Sequence, residues 1–130
     1  LLMQGTREWK NYRVTARMTP HMCEAGGLGI RVQGMTRYYA LLISQDGARL
    51  VRSHEGKDTT LAACDLGWKL GHQYELTLQA VGNRLTAWIN QEKILEVEDA
   101  EGYYPSGAMA LISQVGRIGC DFVEVQPAVD

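Results

Sequence analysis

Residues 71–99 read GHQYELTLQAVGNRLTAWINQEKILEVED, and their apolar side chains fall on every second position. A period of two is typical of half-buried β-strands, whereas an amphipathic helix repeats about every 3.6 residues. The pairs Gly82-Asn83 and Asn90-Gln91 interrupt the alternation with turn-forming residues. The segment therefore predicts three consecutive antiparallel strands joined by tight turns.

The same alternation continues on both sides of this segment. It predicts strands over residues 12–19, 28–33, 37–44, 48–54, 59–64, 108–113 and 118–125. Pro20 is expected to end the first strand, and Gly26-Gly27 is expected to separate it from the next one. Gly116 is expected to form a turn. The continuous apolar run over residues 38–43 favours a strand covered on both faces. With about ten strands and no convincing helix, the sequence predicts an all-β fold, a sandwich of two antiparallel sheets.

The composition is that of an ordinary globular protein. Of the 130 residues, 45% are hydrophobic and 22% are charged, which suits a single β-sandwich domain over residues 1–130. The net charge of −2 comes from scattered acidic and basic side chains, so no long-range field attracts nucleic acid or an anionic membrane. We therefore expect neither nucleic acid nor a membrane as a partner.

The start of the chain and its cysteines bear on where the protein resides. The sequence opens at Leu1 without the basic and apolar segments of a secretion signal, and this opening also suits a module or fragment of a longer protein. The cysteines are odd in number and lack C-x-x-C spacing: Cys23, Cys64 and Cys120. This pattern favours reduced thiols and a cytoplasmic protein over a disulfide framework. The histidines share no metal-ligand spacing with the cysteines, so no cofactor is implied.

Short motifs spread over almost the whole chain resemble those of a known fold. They are W-x-x-Y-x-V at 9–14, G-x-G-I at 27–30, R-Y-Y-A-L-L at 37–42, L-x-A-W-I-N at 85–90 and D-F-V-x-V at 121–125. On these motifs the chain resembles the concanavalin A-like lectin/glucanase jelly roll. More narrowly, it is similar to the jelly-roll region at the C-terminal end of some bacterial ADP-ribosylglycohydrolase-family proteins. Laminin G-like and carbohydrate-binding modules are more distant resemblances.

The resemblance implies a lectin-like module that binds a carbohydrate or a glycan-like small molecule without catalysis. The ligand would lie on a sheet face or along its rim, where aromatic rings stack on sugars and Arg, Gln or Asn side chains bind hydroxyls. The competing hypothesis is a structural or protein-interaction domain that forms a homodimer or docks on a neighbouring domain. A small glycoside hydrolase is the third, less favoured hypothesis.

Trp88 is a candidate for ligand stacking. It is out of phase with Ala87 and Ile89, so it is expected to point away from the core between the sheets. Packing under a loop is the alternative for this side chain. Trp9 and Trp68, at loop or strand-start positions, are expected to be structural plugs.

A second candidate patch combines Arg31, Gln33, Arg37 and Tyr39, on two strands that are expected to pair. One tyrosine of the Tyr38-Tyr39 pair must face outward, and Tyr39 is the predicted one, although it shares its parity with apolar residues. For the arginines the alternative is a solvated edge or a cross-strand ion pair.

Three further residues are candidates for the rim of this patch. His54 ends the following strand and is placed to flank the patch. Tyr103 and Tyr104, in a late loop, are expected either to form a sugar platform or to close one end of the sandwich by hydrophobic packing.

The segment 96–101, EVEDAE, approaches the E-x-D-x-x-E strand motif of glucanases that share this fold. Glu98 replaces the aspartate of that motif, and the segment leaves the sheet for a turn, so no catalytic residue is assigned and an enzyme is not favoured. The resemblance leaves calcium open as a ligand, because many such jelly rolls bind it through aspartates and backbone carbonyls. Asp121 or the acidic turn at 98–101 would then be its site.

Overall fold

The computed structural model describes residues 2–4, 9–34, 36–101 and 104–128, with backbone alone at residues 2–4, 22–24, 113–118 and 121. The described residues form nine β-strands and no helix, and therefore no helix that could cross a membrane. The strands are β1 (Leu2–Gln4), β2 (Tyr12–Gly34), β3 (Arg37–Ser44), β4 (Ala48–His54), β5 (Lys57–Cys64), β6 (Tyr74–Val81), β7 (Arg84–Ile89), β8 (Glu92–Glu98) and β9 (Ala108–Pro127). The predicted all-β fold is confirmed.

Two long strands, β2 and β9, pair antiparallel along most of their length and belong to both sheets of the sandwich. The first half of β2 pairs with β6, and the second half pairs with β3. The β3 sheet therefore has the order β1-β9-β2-β3-β4-β5, and the β6 sheet has the order β9-β2-β6-β7-β8. All pairings are antiparallel, as the sequence predicts.

The prediction that β2 ends at Pro20 is wrong, because the strand continues to Gly34. The carbonyl of Pro20 accepts a hydrogen bond from the Gly71 amide, so its missing N–H points to that same side, away from β9. Pairing with β6 stops at Met18 and pairing with β3 starts at Ala25, so the proline interrupts no described ladder.

β9 is likewise one strand, where the sequence predicted two strands separated by a turn at Gly116. Gly116 lies opposite Cys23 of β2 and remains in the ladder. A glycine in a strand often marks a bend instead of a chain reversal. Both errors fall where the long strands pass from one sheet to the other.

The segment 71–99 forms β6, β7 and β8, which confirms the prediction from its alternation. The turn between β7 and β8 has positive φ angles at both Asn90 (51°) and Gln91 (68°). This left-handed pair matches the twist of a tight hairpin, and asparagine tolerates the conformation well. The Asn90 side chain also accepts a hydrogen bond of 2.9 Å from the Glu75 amide, which fixes the turn to β6.

The core lies between the two sheets and consists of the side chains on alternate strand positions. Its fully buried members include Val14, Ala16, Leu28, Ile30, Leu41, Ile43, Leu50, Leu76, Leu78, Leu85 and Ala87. Trp68, in the loop after β5, packs into the same core and is a structural plug, as predicted.

The outer face of the β3 sheet carries a second apolar layer. Ala40, Leu42, Val51 and Ile112 are buried there, with Tyr38 packed partly against them. Residues on both faces of β3 are thus buried, which confirms the interpretation of the apolar run at 38–43. On the same face, Arg49 lies opposite Leu42 and Thr60 lies opposite Val51, so polar side chains border this apolar layer.

We expect Gly67→Ala to destabilise the fold, because a Cβ there would lie 2.7 Å from the Ser44 carbonyl oxygen. That carbonyl accepts the Trp68 amide, so relief of the clash would displace the loop that buries Trp68. The free energy of unfolding should fall by about 1–3 kcal/mol in chemical denaturation followed by circular dichroism. Gly34→Ala is the matched control, since a Cβ there meets no atom within 4 Å. Equal stabilities of the two variants would contradict the packing described here.

Candidate ligand-binding face

The outer face of the β6 sheet is polar, in contrast to the apolar outer face of the β3 sheet. The strand register places one set of side chains on it, here called the polar face: Arg13, Thr15, Arg17, Glu75, Thr77, Gln79, Arg84, Thr86, Trp88, Lys93, Glu96, Glu98, Phe122, Glu124 and Gln126. These positions alternate with the core residues on the same strands, because successive side chains of a strand point to opposite faces.

One cross-strand row on the polar face runs through Arg13, Gln79, Thr86 and Glu96, which are successive Cα partners on four neighbouring strands. Neighbouring strands lie about 4.8 Å apart, so each side chain of the row can contact the next. Trp88 lies in the adjacent row, opposite Thr77. The register thus brings an indole, a guanidinium, an amide and a carboxylate together.

Arg13 connects these two rows. Its guanidinium carbon lies 4.9 Å from the centroid of the Trp88 ring, a cation–π contact. Its Nε and Nη2 donate hydrogen bonds of 3.0 and 2.8 Å to Gln79 Oε1. The stack and the two hydrogen bonds hold the three side chains in one arrangement, here called the Arg13 triad. The predicted outward orientation of Trp88 is confirmed.

An open cleft of about 590 Å³ lies beside the Arg13 triad. Its lining residues are Gln79, Val81, Gly82, Asn83, Arg84, Thr86, Glu96 and Glu98. Within it, Thr86 Oγ1 donates to Glu96 Oε2 over 3.3 Å, and outside its lining Lys93 Nζ lies 3.6 Å from Glu96 Oε1. The cleft therefore offers donors and acceptors of both charges and suits a polar, hydroxyl-rich ligand.

A second cation–aromatic pair lies on the polar face outside the cleft. The guanidinium carbon of Arg17 is 4.7 Å from the Phe122 ring centroid. Glu75, the cross-strand partner of Arg17 on β6, places a carboxylate beside this pair. Both arginines thus contact an aromatic ring, but Arg17 lies opposite a carboxylate, whereas Arg13 lies opposite the uncharged Gln79.

Several solved structures share this arrangement of strands. The carbohydrate-binding module CBM66 from Bacillus subtilis superposes with a TM-score of 0.83 at 15% sequence identity, over 90% of this chain and 75% of that chain. The fold is a concanavalin A-like jelly roll. Chicken galectin 2 superposes on this jelly roll with a TM-score of 0.75 at 8% identity, over 96% of this chain and 98% of that chain.

Sheep galectin-11, in a complex with glycerol, gives a TM-score of 0.70 at 13% identity, over 95% of the jelly roll and 96% of that chain. No protein-family model and no curated protein sequence matches this chain. The resemblance to known proteins is thus one of fold.

The prediction that Arg31 faces outward is wrong, because its side chain is only 2% exposed. Arg31 has a φ of 53° and lies in an irregular stretch of β2 between Ile30 and Gly34. The register shifts there, so successive side chains no longer point to opposite faces of the sheet. The guanidinium donates to the carbonyls of Lys10, Gly82 and Tyr104 and to Asn11 Oδ1. Burial lowers the pKa of Arg31. Arg31 therefore joins loops inside the jelly roll.

Tyr39 also faces the core, so its predicted outward orientation is wrong. It shares the parity of Leu41 and Ile43, and that parity is the inner one. The Tyr39 hydroxyl donates to Asp99 Oδ2 over 2.7 Å, and Arg52 Nη1 lies 2.9 Å from Asp99 Oδ1. Burial, together with the hydrogen bond to Asp99, raises the pKa of Tyr39.

Tyr104 closes one end of the sandwich, which was the packing alternative for this residue. Its hydroxyl donates to the Ser53 carbonyl over 2.7 Å, and its ring packs edge-on against Tyr39 at 5.3 Å between centroids. The exposed His54 places Nδ1 2.9 Å from the Tyr104 hydroxyl. Tyr103 lies outside the described residues.

The remaining predicted residues do not form one patch. Gln33 Nε2 donates to the Ser106 carbonyl over 3.1 Å. Arg37 makes an exposed ion pair with Glu55, which was the alternative for the strand arginines, and its Nε lies 2.6 Å from Oε1.

Four of the predicted residues do form a cluster, because Arg31, Tyr39 and His54 each contact Tyr104. Trp88 lies on the other sheet.

Sequence reasoning missed Arg13, Gln79 and Thr86 as members of the site around Trp88. Their alternation was visible, since each is out of phase with the core positions of its strand. The pairing of β2 with β6, which brings Arg13 to Gln79 and Trp88, joins residues 66 positions apart in the chain. No short-range pattern carries that information.

The carboxylates of the segment 96–101 do not share one face. Glu96 lies on the polar face, whereas Glu101 pairs with Arg52 at 3.2 Å at the end of the sandwich. Arg52 also donates hydrogen bonds to both oxygens of the Asp99 carboxylate. Because these oxygens already bind a cationic side chain, this acidic turn does not fit a calcium ion. The described residues contain no group of three or more His, Cys, Asp or Glu side chains that could hold a metal, and the Asp121 side chain is not among them.

We expect Asp99→Asn to destabilise the jelly roll by about 3 kcal/mol, because it removes the buried charge partner of Arg52 and leaves one acceptor oxygen where Tyr39 and Arg52 now use two. Thermal and urea denaturation measure this loss. Glu101→Gln is the matched control, since it removes the other carboxylate on Arg52, whose side chain is 61% exposed, and should cost less than about 1 kcal/mol. A larger loss for Glu101→Gln would refute the assignment of Asp99 as the main partner.

Proposed function

We propose that this protein is a non-catalytic carbohydrate- or glycan-binding module, and that its ligand binds at the Arg13 triad and the adjoining cleft. The observation that carries the proposal is the outward Trp88, held by Arg13 and Gln79 beside an open cleft lined by polar side chains. The fold, shared with a carbohydrate-binding module and with galectins, supports it.

A sugar needs two kinds of partner, and the site offers both. The apolar C–H faces of its ring pack on flat side chains, and here the guanidinium of Arg13, stacked on the indole of Trp88, provides a flat surface. Its hydroxyls need fixed donors and acceptors. Because Gln79 Oε1 accepts both bonds from Arg13, its Nε2 is left to donate, and the described residues provide no partner for it.

The charges around the cleft are balanced, so the site has no strong positive field of the kind that binds nucleic acid. Arg84 lies opposite Glu98 on the neighbouring strand, and Lys93 contacts Glu96. Opposite charges at these positions cancel the field over the cleft. Specificity therefore depends on the positions of individual hydrogen-bonding groups.

The polar face is preferred to the outer face of the β3 sheet for a chemical reason. Ala40, Leu42 and Val51 on that other face are 0–2% exposed and carry no hydrogen-bonding side-chain atoms. A sugar placed over these three residues would lose bonds to water without replacing them, which costs free energy.

We expect Trp88→Ala to weaken saccharide binding by about tenfold or more, because it removes the indole on which Arg13 stacks and so releases Arg13. Isothermal titration calorimetry over a panel of neutral and acidic oligosaccharides measures the effect. Phe122→Ala is the matched control, because Phe122 also lies under an arginine on the polar face but outside the cleft. If a saccharide binds equally well to wild type and Trp88→Ala, or if no saccharide of the panel binds, the proposal fails.

A further inference from the structure

We propose that the ligand carries a carboxylate and that Arg13 binds it, so that the site takes an acidic saccharide of the uronic acid type. This inference rests on the proposed function and specifies its ligand. It comes from the hydrogen bonds that Arg13 makes, from those it leaves open, and from the residues that face it on both neighbouring strands.

Among the described cations of the polar face, Arg13 has uncharged residues directly opposite it on both sides: Gln79 on β6 and Gln126 on β9. By contrast, Arg17 lies opposite Glu75, and Arg84 lies opposite Glu98. No described carboxylate lies within ion-pair distance of Arg13. Its charge is therefore available to a ligand.

The geometry of the Arg13 guanidinium favours a planar acceptor with two oxygens. Nε and Nη2 use one edge of the group for Gln79 Oε1. The other edge, formed by Nη1 and the second hydrogen of Nη2, has no acceptor among the described residues. A carboxylate can accept both N–H groups of such an edge in parallel, and this bidentate bond is short and strong. A single hydroxyl oxygen would have to share both N–H groups and cannot accept them in two parallel bonds.

The guanidinium is already positioned for this role. The Trp88 ring below it and the Gln79 amide beside it restrain the rotation of a long side chain. Binding then costs less conformational entropy than it would at a freely moving surface arginine. Gln79 has two functions in this arrangement, because its oxygen holds Arg13 and its nitrogen is turned toward the ligand.

The rest of the ligand would extend from Arg13 along the row toward the cleft. Glu96 is three strands away, so its carboxylate can bind sugar hydroxyls without lying beside the ligand carboxylate. Glu124 is the nearest acidic position on β9, and it lies opposite Thr15 in the next row. Repulsion between like charges is thereby limited.

The test compares uronic acid oligosaccharides with their methyl esters, which keep the sugar ring and remove the charge. Oligogalacturonate and oligomannuronate are the probes, and calorimetry gives the affinities. We expect at least one acid to bind about tenfold or more tightly than its ester, and this preference to weaken as the salt concentration rises.

Substitutions assign the effect to a residue. Arg13→Gln should abolish the preference for the acid, and Arg13→Lys should restore it only in part, since an ammonium group cannot present two parallel N–H bonds. Arg17→Gln, on the same strand and outside the cleft, should keep the preference.

The failures of the two proposals are distinguishable. If acids and esters bind equally while Trp88→Ala still weakens binding, the acidic ligand is refuted and the carbohydrate-binding function stands. If Arg17→Gln lowers the preference as much as Arg13→Gln does, the assignment to Arg13 is overturned. If neither acids, esters nor neutral oligosaccharides bind, the proposed function fails as well.

Discussion

The pairing of β2 with β9 is the constraint on which the rest of the structure depends. These two strands run antiparallel through both sheets, from Tyr12 opposite Pro127 to Val32 opposite Ala108. Because both strands pass from one sheet to the other together, the two sheets are joined by continuous backbone and their inner faces oppose one another. The core residues Val14 and Ala16 on one half of β2, and Leu28 and Ile30 on the other half, can then contribute to one hydrophobic core.

The same two strands give the jelly roll two chemically different outer surfaces. In its first half, β2 presents Arg13 and Arg17 to the polar face. In its second half it presents Gly29, where a Cβ would lie 3.3 Å from the Cβ of Ala110. Close approach of the strands leaves that surface apolar and tightly packed.

The interior supports the candidate site through Arg31. This buried side chain donates to the carbonyl of Gly82, in the turn that borders the cleft, and Asn11 Oδ1 accepts from the Gly82 amide as well as from Arg31. The turn between β6 and β7 is thus anchored to the N-terminal segment and to β2. Such anchoring keeps the cleft in one shape before a ligand arrives, which reduces the entropy lost on binding.

The sequence by itself determined the fold class, the hairpins of the segment 71–99 and the outward position of Trp88, since a period of two and turn-forming residues are local properties. Pro20 and Gly116 were wrongly predicted to interrupt their strands. At these positions β2 and β9 pass from one sheet to the other, and only their pairing with each other continues. Arg31 and Tyr39 were wrongly predicted to face outward. The irregular register at Arg31, and which face of β3 points to the core, depend on the partner strands. Only the tertiary structure decided that Arg13, Gln79 and Trp88 meet, because side chains distant in the chain become neighbours through the register between strands.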